Sequence, residues 1–174
     1  MTAKTFRLSP GVVVTDTNVL INFLRIEQLG LLGRVPELRF EVPQQVMDEV
    51  TWEAQAAALA AALEAGELHP CEASDVEISA LYSSLLKRIE SGEAACIAIA
   101  CVRGQSVATD EKGNAERIAH ELLGRHRLLR TEELIKRCIQ AELISVSEAD
   151  EFKATLARNR YVMKFASFAD LAAA

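Results

Sequence analysis

Residues 12–15, Val-Val-Val-Thr, form an unbroken run of β-branched side chains, and few folds accommodate such a run. A strand with one face in solvent alternates apolar and polar residues, whereas a continuous apolar strand is typical of a sheet that is buried on both faces. Further short apolar runs alternate with helical patterns along the chain, as they do in βαβ units. The sequence therefore predicts an α/β fold with a central parallel sheet.

The predicted order of elements is β-α-β-α-β-α-α-β-α-β-α-α, followed by a short tail helix. The predicted strands are residues 12–15, 38–42, 67–71, 106–109 and 128–130. The predicted helices are residues 18–32, 43–65, 74–89, 93–102 and 113–123, two more that begin at 131 and 147, and the tail helix within 165–174.

Length and composition limit the class of protein. The 174 residues, half of them hydrophobic, suffice for one domain over residues 1–174 with a sizeable core. A protein that coats nucleic acid by charge would be basic, whereas the net charge here is −6. No apolar stretch approaches the ~20 residues that span a bilayer, so we expect no membrane association. The first eleven residues lack the apolar segment of a secretory signal, and we expect a cytoplasmic protein.

The cysteines indicate neither a zinc site nor a disulfide framework. Cys71, Cys96, Cys101 and Cys138 form no CxxC pair, and no histidine is close enough in sequence to complete a zinc signature. We therefore expect free thiols, although a disulfide stays possible because sequence alone cannot pair cysteines.

Four carboxylates each follow a predicted strand or occupy an early turn of a helix. They are Asp16 after VVVT, Glu49 in VPQQVMDEV, Glu93 in SGEAACIAIA and Asp110 after SVAT. Side chains at these places gather at the carboxyl edge of an α/β sheet. Carboxylates in one cleft repel each other unless a cation neutralises them, and Mg²⁺ or Mn²⁺ prefers oxygen ligands. The pattern predicts metal-assisted phosphodiester hydrolysis.

Two of the predicted strands end in Thr-Asp. If these strands are adjacent and parallel, Asp16 and Asp110 should lie about one strand spacing apart, ~4.8 Å. Glu111 and Asn114 follow Asp110 and could add a ligand or orient a water molecule. Arg117 could contact a phosphate, although a surface salt bridge is the default for such a residue.

Three of the acids also have a simpler interpretation. Asp16 could be the N-cap of the first helix, although Asn18 could cap that helix equally well. Glu49, taken alone, could lie on a solvated helix surface. Glu93 could be favoured at its helix N-terminus by the helix dipole.

These motifs, in this order, resemble those of PIN domains. TDTNVLI resembles the motif at the end of the first strand, and VPQQVMDEV resembles the helix that carries the second acid. GEAACIAIA resembles the Ala-rich helix that the third acid opens, and ATDEKGNAERIA resembles the segment with the fourth acid, after a later strand. Glu93 replaces the commoner Asp, and the similarity covers about residues 12–140, which leaves 141–174 as a C-terminal helical extension. The resemblance implies a three-layer α/β/α sandwich in which Asp16, Glu49, Glu93 and Asp110 hold Mg²⁺ or Mn²⁺. In that family the hydroxyl next to the first Asp often supports the metal site, a place that Thr17 occupies here. The further candidates for metal-supporting or substrate-contacting roles are Asn18, Glu111, Asn114 and Arg117.

The resemblance implies cleavage of RNA, often by the toxin of a VapBC-type toxin–antitoxin pair that forms homodimers and is blocked by its antitoxin. The alternative is a module with the PIN fold that binds RNA or protein without cutting. A phosphatase with an Asp nucleophile ranks lower, because Asn18 stands where such enzymes usually have a second Asp. His69, His120 and His126 lie in polar or helix-end contexts that do not favour a histidine base.

Overall fold

The structure is a computed structural model that describes residues 11–172. The expected absence of a secretory signal concerns residues 1–10 and lies outside the described residues. Within residues 11–172, no helix is both long enough and apolar enough to cross a membrane.

Five parallel strands form the sheet, in the order β3-β2-β1-β4-β5. The strands are β1 (Gly11–Thr15), β2 (Leu38–Pro43), β3 (His69–Cys71), β4 (Ser106–Ala108) and β5 (Leu128–Leu129). The predicted parallel sheet is confirmed, and each predicted strand is present with shifted ends. Val13 and Val14 of the central strand β1 are fully buried, as their unbroken apolar pattern predicts.

Helices cover both faces of this sheet. They are α1 (Thr17–Arg25), α2 (Gln44–Glu49), α3 (Glu53–Glu64), α4 (Val76–Leu85), α5 (Ser91–Arg103), α6 (Asn114–Leu123), α7 (Thr131–Gln140), α8 (Val146–Arg158) and α9 (Ala169–Ala172), with 3₁₀ segments at Leu29–Arg34 and Arg125–Arg127. Helices α4 and α6 both contact α5, whereas α1, α7 and α8 contact one another. The predicted three-layer α/β/α sandwich is confirmed.

Two predicted helices are interrupted. The helix expected at 43–65 is divided into α2 and α3 by residues 50–52, where the buried Val50 ends α2 with a ψ of 85°. The helix expected at 18–32 ends with α1, and a separate 3₁₀ segment follows at Leu29–Arg34. The end of α2 consequently faces the carboxyl edge of the sheet, next to the start of α5.

Candidate functional site

A cleft of about 450 Å³ opens at the carboxyl edge of strands β1 and β4. All four predicted acids line it, together with Thr17, Asn18 and Glu111 of the secondary candidates. Its acidic lining residues are Asp16, Glu49, Glu90, Glu93, Asp110 and Glu111, and its arginines are Arg25 and Arg160. Glu90, Arg25, Arg160 and the other lining residues after 158 were not predicted from the sequence, and neither were Ile21 and Asn22.

Two secondary candidates lie elsewhere. Arg117 forms an ion pair with Glu121 at 2.7 Å and donates to Asn114 Oδ1 at 2.9 Å, so the surface salt bridge is the correct interpretation. Asn114 donates to the carbonyl oxygen of Arg88 at 3.0 Å. Neither residue lines the acidic cleft.

Asp16 is both the N-cap of α1 and the most buried acid of the cleft. Its Oδ1 accepts from the Thr17 backbone N–H at 2.8 Å, and its Oδ2 accepts from Thr109 Oγ1 at 3.0 Å. Burial raises the pKa of Asp16 to about 7, an effect that these hydrogen bonds oppose and that the charges of Glu93 and Glu111 reinforce. The simpler interpretation of Asp16 as a cap is therefore right, and it leaves this carboxylate facing the cleft.

The register between β1 and β4 separates Asp16 from Asp110. Thr15 pairs with Ala108, and the Asp16 N–H donates to the Ala108 carbonyl at 2.9 Å. Asp16 therefore lies opposite Thr109, and Asp110 follows one residue further along the chain. The expected match of the two Thr-Asp strand ends is offset by one residue, while both carboxylates line the same cleft.

Asp110 is engaged by the chain itself. Its two oxygens accept from the Thr131 N–H at 2.9 Å, Asn22 Nδ2 at 3.0 Å and the Tyr161 hydroxyl at 2.8 Å, and also from the Thr131 hydroxyl. Charge-assisted hydrogen bonds of this kind are the strong ones in proteins. Asp110 thus joins the start of α7, helix α1 and the segment after α8.

Glu111 lies beside Asn18 in the same cleft as Asp16. Asn18 Nδ2 donates to Glu111 Oε1 at 2.8 Å, while Asn18 Oδ1 accepts from the Asp110 N–H at 3.1 Å. The charge of Glu111 raises the pKa of both Asp16 and Glu93, which places these three carboxylates within electrostatic reach of one another. The Glu111 N–H donates to Thr109 Oγ1 at 3.1 Å, so a turn after β4 positions this acid.

Glu93 stands at the third position of α5, where its side chain and that of Glu90 form a capping box. Burial raises the pKa of Glu93, the hydrogen bond to the Glu90 N–H opposes this, and the charges of Glu111, Glu90 and Glu49 raise the pKa further. Behind Glu93, α5 is buried from Ala94 to Ala100, as its apolar sequence predicts.

Glu49 ends α2 with its carboxylate turned toward the cleft. Its Oε1 accepts from the Gly92 N–H at 3.0 Å, and its Oε2 accepts from the Thr17 hydroxyl. A Cβ atom at residue 92 would lie 2.7 Å from both oxygens, so only glycine allows this approach. The neighbouring Asp48 is exposed and accepts from Gln44 Nε2, as a solvated helix acid would.

The ligand chemistry of the cleft suits a hard divalent cation, because its acids offer carboxylate oxygens and no histidine lines it. The positions of these side chains do not form a complete metal site. Within residues 11–172, no group of three or more His, Cys, Asp or Glu side chains is arranged to hold a metal ion. Burial is the main cause of the raised pKa values of Asp16 and Glu93, and the charges of nearby carboxylates, which a cation would neutralise, raise them further.

Comparison with known proteins identifies the family. The search of curated proteins found no match. One solved structure, VapBC2 from Rickettsia felis bound to a DNA fragment from its promoter, is similar with 14% identity and a TM-score of 0.47, over 68% of this chain and 96% of that one. That similarity is too weak to bear on function. The family model described as DUF3368, PIN domain, matches residues 12–124, more than half of the chain and all of its cleft acids. The chain therefore belongs to the PIN-domain family.

Proposed function

We propose that this chain is a metal-dependent endoribonuclease, in which carboxylates of one cleft bind Mg²⁺ or Mn²⁺ and RNA is the substrate. The observation that carries the proposal is the cleft itself, in which six carboxylates from separate segments of the chain come together at the carboxyl edge of the sheet. Burial, together with the charges of neighbouring carboxylates, raises the pKa values of Asp16 and Glu93. Perturbed pKa values of this kind cluster at functional sites.

In this proposal Asp16, Glu93, Glu111 and Glu49 would hold the ion. When bound, such a cation lowers the pKa of a water molecule and neutralises charge on the phosphate. Thr17 orients Glu49, and Asn18 orients Glu111, through the hydrogen bonds described above. Asp110 acts as a positioning residue rather than the direct ligand that the sequence predicts.

The family supplies the biological part of the proposal. PIN domains are generally nucleases, and many are VapC-type toxins. We therefore propose that this chain is a cytoplasmic toxin that forms homodimers and has a cognate antitoxin. Cys71, Cys96, Cys101 and Cys138 are all free thiols, as expected, which suits a reducing compartment. A single domain over residues 1–174 stays part of this proposal.

The proposal is tested by incubating the purified chain with a structured RNA pool in Mg²⁺, in Mn²⁺ and in EDTA. We expect cleavage with either metal and none in EDTA, together with a rise in melting temperature on adding Mn²⁺, because binding to the folded state stabilises it. Intact RNA under all three conditions, with no thermal shift, would refute the nuclease assignment.

One observation favours the alternative of a PIN-fold module that binds without cutting, namely the lack of a preformed metal-binding group within residues 11–172. This alternative predicts RNA or protein binding that EDTA does not change. The same experiment therefore separates the two functions.

The Gly92→Ala variant should remain folded and lose about 10- to 100-fold in cleavage rate, the usual effect of disturbing a residue that orients a metal ligand. The added methyl group would displace the Glu49 carboxylate from the cleft, since it would lie 2.7 Å from both oxygens. Single-turnover cleavage and the melting temperature measure the two effects.

Gly30→Ala is the matched control for this variant. A Cβ atom at Gly30 would lie 3.0 Å from the Glu67 carboxylate, a similar crowding at a place that does not line the acidic cleft. Equal losses of cleavage in both variants would show that the Glu49 position is unimportant.

A further inference from the structure

The turn after α8 belongs to the acidic cleft although it lies outside the family match at 12–124. Asn159, Arg160 and Tyr161 all line the cleft. The Tyr161 hydroxyl contacts the carboxylates of both Asp110 and Glu132, so the turn is tied to the loop that carries Glu111. A segment beyond the PIN-domain match thus completes the wall of the cleft.

Two guanidinium groups face this acidic cleft without an acidic partner. Arg25 and Arg160 are exposed, and neither forms an ion pair with any residue in the described range 11–172. Arg25 Nη1 donates only to the Asn159 carbonyl, at 3.4 Å, which brings α1 against the same turn. Both side chains keep hydrogen-bond donors available for an anion, and guanidinium groups match phosphate geometry well.

Arg160 occupies a backbone position that normally favours glycine. Its φ is +67°, and the bonds Arg160 N–H to Ala157 O (3.1 Å) and Tyr161 N–H to Leu156 O (2.9 Å) form the usual helix-ending motif. Glycine is the commonest residue there because a side chain is disfavoured in the left-handed region. The same left-handed ending with a charged residue occurs at Glu27 after α1 and at Glu142 after α7, so it is the position of Arg160 in the wall of the cleft that distinguishes it.

We propose that Arg25 and Arg160 form a phosphate-binding pair that holds the RNA backbone at the cleft, and that the turn 159–161 is therefore part of the substrate site. This inference rests on the proposed function. Six carboxylates in the cleft repel a polyanion, and these two arginines are the cations that line the same cleft. Contacts from arginine to phosphate position a nucleic acid without reading its bases.

The Arg160→Gly variant separates the two roles of this residue. Glycine relieves the left-handed backbone, so the melting temperature should stay equal or rise, while the proposed phosphate contact is lost. Binding is measured in the full-length chain with Asp16→Asn added, by fluorescence anisotropy of a short fluorescein-labelled single-stranded RNA in Mg²⁺ over a series of KCl concentrations. We expect weaker binding. The slope of log K against log [KCl] should be smaller in magnitude by ~0.7, the contribution of one phosphate contact to a single strand. Arg25→Ala should change the slope by a similar amount.

Two control variants test whether the backbone change or the loss of net charge, rather than a lost phosphate contact, explains the effect on RNA binding. Glu142→Gly makes the same backbone change at the end of α7, where Glu142 has a φ of +56°, and it should not weaken RNA binding. Arg158→Ala removes one positive charge two residues from Arg160, from a side chain that does not line the cleft, and should leave the slope unchanged.

The outcomes distinguish the inference from the function on which it rests. If the wild-type chain cuts RNA but Arg160→Gly binds with unchanged affinity and slope, the arginine pair is wrong and the nuclease stands. An equal fall in slope for Arg158→Ala would also overturn the pair, because the effect would then be one of net charge. A chain that neither cuts nor binds RNA would overturn both.

Discussion

The Asp16→Asn variant is expected to unfold at a higher temperature than the wild-type chain at neutral pH in EDTA, although it should no longer cut RNA. Asp16 is only 3% exposed, and burial raises its pKa from 3.8 to about 7. Between these pH values the folded chain binds the Asp16 proton more tightly than the unfolded chain does. Stability must therefore fall as the pH rises from about 4 to about 7, and an amide avoids this loss.

The effect should be large. A shift of about three units corresponds to ~4 kcal/mol at most, because one unit is ~1.4 kcal/mol. For a chain of this size the melting temperature should then rise by roughly 5–15 °C. Thermal unfolding of both proteins in EDTA from acid to neutral pH measures it, and the gap between them should open as the pH rises. Asp48→Asn, at an exposed helix position, serves as control and should show no such gap. If the melting temperatures of Asp16→Asn and the wild type changed in parallel with pH, the ionisation of Asp16 would not destabilise the fold.

The second large effect is expected from Asp110→Asn, which should lower stability and, as a consequence, cleavage. Four donors from Asn22, Thr131 and Tyr161 converge on the Asp110 carboxylate, and an amide NH₂ group would face at least one of them. An unsatisfied buried donor costs about 1–3 kcal/mol, and the lost charge weakens the remaining bonds. We expect a loss of about 2–4 kcal/mol of unfolding free energy, which lowers the melting temperature by roughly 5–15 °C.

Glu111→Gln is the matched comparison for Asp110→Asn. The amide side chain of this variant would keep an oxygen for the bond from Asn18 and would lack the charge that faces Asp16 and Glu93. The variant should retain the wild-type melting temperature and lose at least about tenfold in single-turnover cleavage. The reverse result, an inactive Asp110→Asn of normal stability beside a fully active Glu111→Gln, would restore Asp110 as the direct acid.

Much of the architecture could be predicted from local pattern. The buried run of valines in β1 predicted a central parallel strand, and the short apolar runs located the other four strands. The convergence of Asp16, Glu49, Glu93 and Asp110 on one cleft followed from the rule that parallel strands present their carboxyl ends at one edge. These features depend on composition over several residues, so small errors in element ends do not change them.

The details that decide the chemistry depend on single residues. The register of β4 places Thr109, and not Asp110, opposite Asp16, an offset of one residue that sequence patterns do not specify. The break in the helix after Glu49 was not predicted, because the Ala, Glu and Gln residues that follow it have high helix propensity. The part played by Arg160 and Tyr161 could not be predicted at all, because it arises from tertiary contacts of a segment that carries no motif.

The most direct test of the carboxylate cleft as a nuclease site is the single-turnover rate at which Asp16→Asn cuts the structured RNA pool in Mn²⁺, beside the wild-type chain. Because this variant is expected to be the more stable protein, a loss of cutting could not be attributed to unfolding. The account predicts metal-dependent cleavage by the wild type and a rate at least about a thousandfold lower, roughly 4 kcal/mol of transition-state stabilisation, for the variant. Cleavage by Asp16→Asn at the wild-type rate would contradict it.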